Sequence, residues 1–409
     1  MRDLFGGPIS AVDAVRAIVA DVRVRGDAAV AEWTQRIDGV QIAQARVDAD
    51  QMAACWEALG PGLRNALTAA AERIRGFHEL QVDDRPRGEQ SLCLRPEPLH
   101  RAGCYVPGGR AAYPSTVLMS VIPAQVAGVE SIALASPPSQ SGAVHPLVAA
   151  AAHLLGVTEV HAIGGAQAIA ALAYGTETVA AVDMVVGPGN IFVTLAKREV
   201  FGAVGIDQLA GPSEILVVAS ADANPDFIAA DLVSQLEHDP LAWAVCITDS
   251  PEVRDAVSAA FAIRAPAAAR AGVIADSAAR HGAIVTVDDI EEALPLVAAF
   301  APEHVSLQGM GAQGLRERVR GAGAVFCGGL SPVSMGDYIA GPNHTLPTQG
   351  AARYRGPLSV MDFVRWPSIV DLTAADFDAL APVACALAEA EGLLGHEEAI
   401  RLRMEERVR

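Results

Sequence analysis

The stretch SQLEHDP, residues 234–240, sets an amide and an imidazole three residues apart, at Gln235 and His238. On a helix, positions three apart share a face, so both side chains can converge on one point. The same spacing also fits a helix-end histidine that meets only the last carbonyls. Metal binding takes further donors. The sequence offers Asp337 and His344 among glycines in an irregular stretch, and His396 after EGLLG. Oxygen and imidazole donors without sulfur suit Zn2+ or a similar divalent ion with positions left open for a ligand. A second candidate is APEHVSL, residues 301–307. Its adjacent Glu303 and His304, at a helix end or in the turn after it, offer two proton acceptors of different basicity. An ordinary solvated helix end would look the same.

Two glycine turns and one cysteine complete the candidates. GGAQA at 164–168 and GPGN at 187–190 each follow a strand-like run and open a helix, so their N–H groups could meet a pyrophosphate. Neither matches GxGxxG, and a tight strand-to-helix turn needs glycine in any case. Cys104, in AGCYVPGGR, stands ahead of a Pro-Gly-Gly turn, and a four-electron dehydrogenase can hold an aldehyde as a thiol adduct. A free cysteine is more often a small buried apolar residue, which is the reading favoured here.

Those residues need elements to position them. Residues 10–35 carry apolar positions at helical spacing. From 131 to 220, short apolar runs (SIALAS, EVHAIGG, DMVVGPG, ILVVAS) alternate with helical stretches, the mark of parallel βαβ units with helices on both faces. A second alternating series follows, beginning with PDFIAADLVSQLEHD, where Asn224 is placed as an N-cap and Pro225 at the first helical position. Residues 327–358 show no periodicity; a loop that long inside a compact domain is usually functional or disordered. The last fifty or so residues return to helix.

Composition narrows the function. The 409 residues are 51% hydrophobic and suggest two or three domains. The most apolar window, STVLMSVIPAQVAGV, is broken by Ser120, Pro123 and Gln125, so no membrane segment is expected. The six scattered cysteines contain no CxxC pair, which argues against a disulfide framework or a thiolate zinc site. A net charge of −18 argues against nucleic-acid binding, and with no signal-peptide pattern at MRDLFGGPISAVDAV a cytoplasmic protein acting on a small molecule is expected.

Together the stretches AGCYVPGGRAAYPSTVLMSVIPAQVAGV, AIGGAQAIAALAYGT, VVGPGNIFVTLAK, AGPSEILVVA, DLVSQLEHDP, APEHVSL, GDYIAGPNHTLPTQGAARYRGPLSV and EGLLGHEEAIRLR resemble the histidinol dehydrogenase family in order and length. The resemblance implies an α/β fold of two Rossmann-like parallel-sheet domains with aldehyde-dehydrogenase-like architecture, plus a small helical C-terminal dimerisation segment. Residues 1–105 with 215–357 would form the metal-bearing domain, 106–214 the NAD-binding domain, and 358–409 a segment exchanged across a homodimer. It places the zinc ligands on Gln235, His238, Asp337 and His396, and proton transfer on Glu303 and His304. Substrate contacts fall on Ser213, His344 and Glu391, and cofactor contacts on Tyr105, Gln167 and Asn190. Glu391 and His396 would act across the subunit boundary. One departure is Arg365-Trp366, where the family often has Lys-Arg.

The implied reaction is NAD-dependent four-electron oxidation of L-histidinol through L-histidinal to L-histidine. Zinc would position the substrate, His304 would act as general base, and Glu303 would activate water. Two other readings remain open: a paralogous dehydrogenase of another small alcohol, such as a sulfonated diol, and a zinc hydrolase, which would leave GGAQA and GPGN unexplained.

Overall fold

The computed structural model describes Gly7 and residues 9–42, 45–83, 85, 87–89, 91–108 and 112–408. Part of the Pro-Gly-Gly turn after Cys104, at 109–111, lies outside the described residues. Two five-stranded sheets, both wholly parallel, form within one unit made of residues 1–82 and 99–363. In the first, Arg101–Tyr105 is the central strand; Ser131–Ser136 and Glu159–Ala162 lie on one side, Met184–Val186 and Gly205–Ile206 on the other. In the second, Glu214–Ala219 is central, flanked by Trp243–Thr248 and Gly282–Thr286 on one side and by His304–Gln308 and Ala324–Cys327 on the other. Each sheet thus reverses its strand order beside its first strand, the doubly wound pattern that opens a crevice at that point. Strands buried on both faces read as continuous apolar runs, and Glu214–Ala219 is buried along its whole length.

The N-terminal stretch forms two helices, Ala11–Arg25 and Asp27–Asp38, where the sequence suggested one. Gly26 breaks it: its φ of +54° is open to glycine, and a side chain there would collide with the Glu177 carboxylate. Ala14, Val15, Ile18, Val19 and Val22 form the buried face of the first helix. Val15, Ile18 and Val22 share a core with Ile169 and Leu172 of the Gly165–Tyr174 helix. Met52, of Ala49–Glu57, packs in the core that holds Val148 of Pro146–Leu154, and Ile74 of Pro61–Glu79 packs with Leu118 and Ile122 of Pro114–Ala127.

The sheets therefore group the chain differently from the expected 1–105 with 215–357. Arg101–Tyr105 is the central strand of the first sheet, and the N-terminal helices pack on the helices of that sheet. An amphipathic helix specifies that it must be covered, not by which partner.

Residues 83–98 and 364–409 form a second unit, so the expected segment 358–409 is joined there by an earlier stretch and begins a few residues later. Within it Arg87–Glu89, Leu92–Leu94 and Ser368–Val370 make an antiparallel sheet. The helix Ala374–Ala390 opens on a capping box between Thr373 and Asp376 and packs with Leu394–Val408, to which the Arg407 guanidinium ties Asp378. Among the described residues no helix is long and apolar enough to cross a membrane.

Candidate active site

A cleft of about 300 Å3 opens where the carboxyl ends of the first sheet's strands meet the amino ends of the second's. Pro107, Gly187, Pro188, Gly189 and Asp207 follow strands of the first sheet. Ser213 and Glu303 immediately precede strands of the second, and His304 begins one. Gln235, His238, Asp337 and His344 are also part of the wall.

The helix carrying Gln235 runs Pro225–Leu236, with Asn224 capping it through its side chain as the sequence suggested. It stops short of His238, which follows in a tight turn, its N–H donating to the Gln235 carbonyl at 3.3 Å. Asp239 turns the chain out of the helix by accepting from the Leu241 N–H. Gln235 and His238 share the cleft, therefore, but not one helix face. Asp337 comes from the short helix Val333–Tyr338, inside the stretch without periodicity. Specific bonds order that stretch: Asn343 donates to the Met119 carbonyl at 2.6 Å, Gln208 to Leu346, and the Gly211 N–H to Thr348 Oγ1.

Glu303 and His304 are nearly enclosed, 7% and 5% exposed. The His304 Nδ1 meets the Glu214 carbonyl at 2.9 Å; a carbonyl can only accept, so Nδ1 carries the hydrogen and Nε2 is left as a bare acceptor. Burial lowers the pKa of the ring to about 4, against the opposing pull of Asp337 and the Glu214 carbonyl, so the imidazole is neutral near pH 7. Burial pushes the Glu303 carboxyl well above the usual range, and the Glu214 and Asp337 charges push the same way. Glu303 Oε2 accepts from the Glu214 N–H at 3.0 Å. His344 Nδ1 donates to the Asp337 carbonyl at 2.9 Å, which fixes that ring too.

The cofactor candidates fall differently. Tyr105 and Gln167 are enclosed, the Tyr105 hydroxyl accepting from the Gly165 N–H at 3.1 Å and the Gln167 amide reaching Asp38 at 3.5 Å. Asn190 caps the helix Ile191–Val200 through Oδ1. None of the three is among the residues lining the cleft, whereas the GPG turn beside Asn190 is. Cys104 is fully buried and burial raises its pKa, so it stays a protonated thiol in the core, the favoured reading of it. Glu391 and His396 are exposed on the second unit, at the end of Ala374–Ala390 and in the first turn of Leu394–Val408.

Three further residues escaped sequence reading. Glu214 brackets the Glu303–His304 pair. Lys197 and Asp207 form a buried ion pair in which Lys197 donates to the Gly187 carbonyl at 2.9 Å and Asp207 accepts from the Gly187 N–H at 2.8 Å, pinning the GPG turn. One signal was available: Lys197 is the only lysine in the sequence.

The cleft presents oxygen and imidazole donors without sulfur, the donor types that a divalent ion such as zinc accepts. Among the described residues no three His, Cys, Asp or Glu side chains cluster to hold a metal. The set here instead includes an amide: Gln235 is 3% exposed and its Nε2 has no partner. A buried donor left unmet costs about 1–3 kcal/mol and calls for an acceptor, whereas a cation would be met by the amide oxygen. With the His238 imidazole and the Asp337 carboxylate, such donors suit a divalent ion of intermediate softness.

A family model described as histidinol dehydrogenase matches residues 8–404. The chain belongs to the histidinol dehydrogenase family. As a member it is an oxidoreductase of the histidinol dehydrogenase type. It is 50% identical over 394 residues to the histidinol dehydrogenase of Parasynechococcus marenigrum, covering 95% of this chain and 90% of that one. It is 46% identical to that of Rhodospirillum rubrum over 399 residues, covering 96% and 92%. The crystal structure of histidinol dehydrogenase from Elizabethkingia anophelis superposes with a TM-score of 0.92 at 32% identity, over 98% of this chain and 94% of that one. An acetylating aldehyde dehydrogenase from Geobacillus thermoglucosidasius shares the fold alone, at TM-score 0.50 and 11% identity, over 89% and 97% of the two chains.

Proposed function

We propose that this histidinol dehydrogenase family member oxidises L-histidinol through L-histidinal to L-histidine, using two NAD+ and one water. One observation carries the reading: a neutral His304 whose Nε2 is the free acceptor stands beside Glu303 in the cleft between the two sheets. Gln235, His238 and Asp337, with His396 of the neighbouring subunit of a homodimer, would hold Zn2+. When bound, the ion supplies open positions that fix the imidazole and amine of the substrate. NAD+ would lie against the GPG turn, with Tyr105, Gln167 and Asn190 near it, and supplies the hydride acceptor for each oxidation.

The chain's own residues handle protons and position. Ser213 and His344 orient the substrate, with Glu391 of the neighbouring subunit. His304 Nε2 takes the hydroxyl proton as the alcohol carbon loses hydride, leaving an aldehyde. Glu303, beside His304 in the cleft, takes a proton from the water that adds to the aldehyde carbon. As water adds, His304 gives its proton to the aldehyde oxygen and is neutral again; it then takes a hydroxyl proton from the hydrate as the second hydride leaves, giving the carboxylic acid, which ionises to the carboxylate. Counting NADH per histidinol tests the reading: two support it, while one or none refutes the four-electron reaction.

A further inference from the structure

Glu214 makes bonds to both proton-transfer residues. Its backbone carbonyl accepts from His304 Nδ1 at 2.9 Å, and its N–H donates to Glu303 Oε2 at 3.0 Å. Its own carboxylate returns the second bond: Oε2 accepts from the Glu303 N–H at 3.2 Å, while Oε1 accepts from the Gln349 N–H at 3.1 Å. The residue is 6% exposed, so these bonds form out of reach of bulk water. Burying a carboxylate is expensive unless its oxygens are engaged, and nothing in the core of a sheet requires one here.

Backbone geometry singles out the same place. Among the described residues only Ala301 and Gln349 hold a positive φ without being glycine, +52° and +53°. Ala301 lies two residues before Glu303, and Gln349 is the residue whose N–H the Glu214 carboxylate takes. Such conformations cost of order 1–3 kcal/mol and persist only where surrounding bonds hold them. The Glu214 carboxylate bonds to Gln349 itself and to the backbone of Glu303, one peptide beyond Pro302 from Ala301.

We propose that Glu214 is a positioning residue for the second half-reaction: its carboxylate holds the backbone N–H of Glu303, just ahead of the strand His304–Gln308, and so sets where Glu303 stands for the addition of water to the aldehyde. The inference rests on the reading of Glu303 as the group that activates that water. Alcohol oxidation depends less on it, because His304 is held within the strand by its pairing with Ile215, whereas Glu303 precedes the strand and loses the bond to its own N–H when the Glu214 carboxylate is changed.

The test is to follow both oxidations in Glu214→Gln and Glu214→Asp, with Glu303→Gln in parallel. Glutamine presents an amide NH2 to one of two backbone N–H donors, and aspartate keeps the charge but draws it back by one methylene. In either variant the kcat for histidinal oxidation should fall roughly 10²-fold or more, the scale of a misplaced base, with the KM for histidinol held within about twofold and histidinal accumulating. A general loss of structure would lower both oxidations together, and that equal loss, or rates for both steps within twofold of the parent enzyme, overturns the inference. If Glu214→Gln does not fold, Glu214→Asp carries the same comparison. Should Glu303→Gln itself spare histidinal oxidation, the assignment of Glu303 falls first; if Glu303→Gln fails there and the Glu214 variants do not, only the role of Glu214 is lost.

Discussion

His304 is ready to take a proton because a carbonyl from another strand holds its Nδ1–H and because burial keeps the ring neutral. Replacing it with asparagine keeps a donor but removes the base, and histidinol oxidation should fall by roughly 10²- to 10⁴-fold in a stopped-flow NADH assay. Lys197 makes a different kind of residue-scale case. In a sequence that otherwise uses arginine for its cations, the compact ammonium sits 2% exposed between Asp207 and the Gly187 carbonyl, where a planar guanidinium would need more room. Lys197→Met would leave the Asp207 charge buried without its partner, a loss of about 3–5 kcal/mol that denaturant unfolding would register. A third, half-buried group links stability to pH. Burial by itself would raise the Glu159 carboxyl, but the bonds and charges of His161 and Arg101 outweigh it and hold the pKa at about 2. A carboxylate with a depressed folded pKa stabilises the fold above its unfolded value and loses that contribution as pH falls toward the folded one. Between about pH 4.5 and 2 the parent protein should therefore lose more of its unfolding midpoint than Glu159→Gln.

At the scale of elements, turns decide where side chains arrive. The Pro225–Leu236 helix carries Gln235 to the cleft and then stops, so that His238 arrives from a turn and not, as the spacing suggested, on the same helix face. Gly187 shows what a strand-to-helix turn demands. It holds φ at +113°, and a β-carbon there would collide with the Tyr105 carbonyl oxygen. Gly187→Ala should displace the turn that Lys197 and Asp207 pin. The expected result is a raised KM for NAD with little change in the binding of histidinol, measured by calorimetry on the enzyme without nucleotide. The stretch 327–358 was legible only as irregular, because its order rests on long-range bonds such as Asn343 to Met119 and Gly211 to Thr348 that no local pattern encodes.

For the whole molecule, the two sheets face one cleft with opposite ends of their strands: carboxyl ends from the first, amino ends from the second. The usual crevice at the carboxyl ends of the second sheet is occupied from within, where Asp222 accepts from the Met310 N–H at 2.9 Å and Ser220 from the Ala312 N–H. The proposed sharing of Glu391 and His396 between subunits gives a test at this scale. Mixing Glu303→Gln chains with His396→Ala chains under conditions that exchange subunits should restore about one quarter of parent activity, because half the dimers are mixed and each has one intact site. No recovery would mean that each site is built from a single chain.

Local pattern was enough for the alternating strands and helices and the Asn224 cap, because periodicity and caps are written within a few residues. It was not enough for the central place of Arg101–Tyr105, the tautomer of His304 or the part played by Glu214. A strand buried on both faces looks alike wherever it sits in a sheet. Glu214 and Glu303 are 89 residues apart in the chain and become hydrogen-bonded neighbours only because Glu214–Ala219 and His304–Gln308 pair in parallel register.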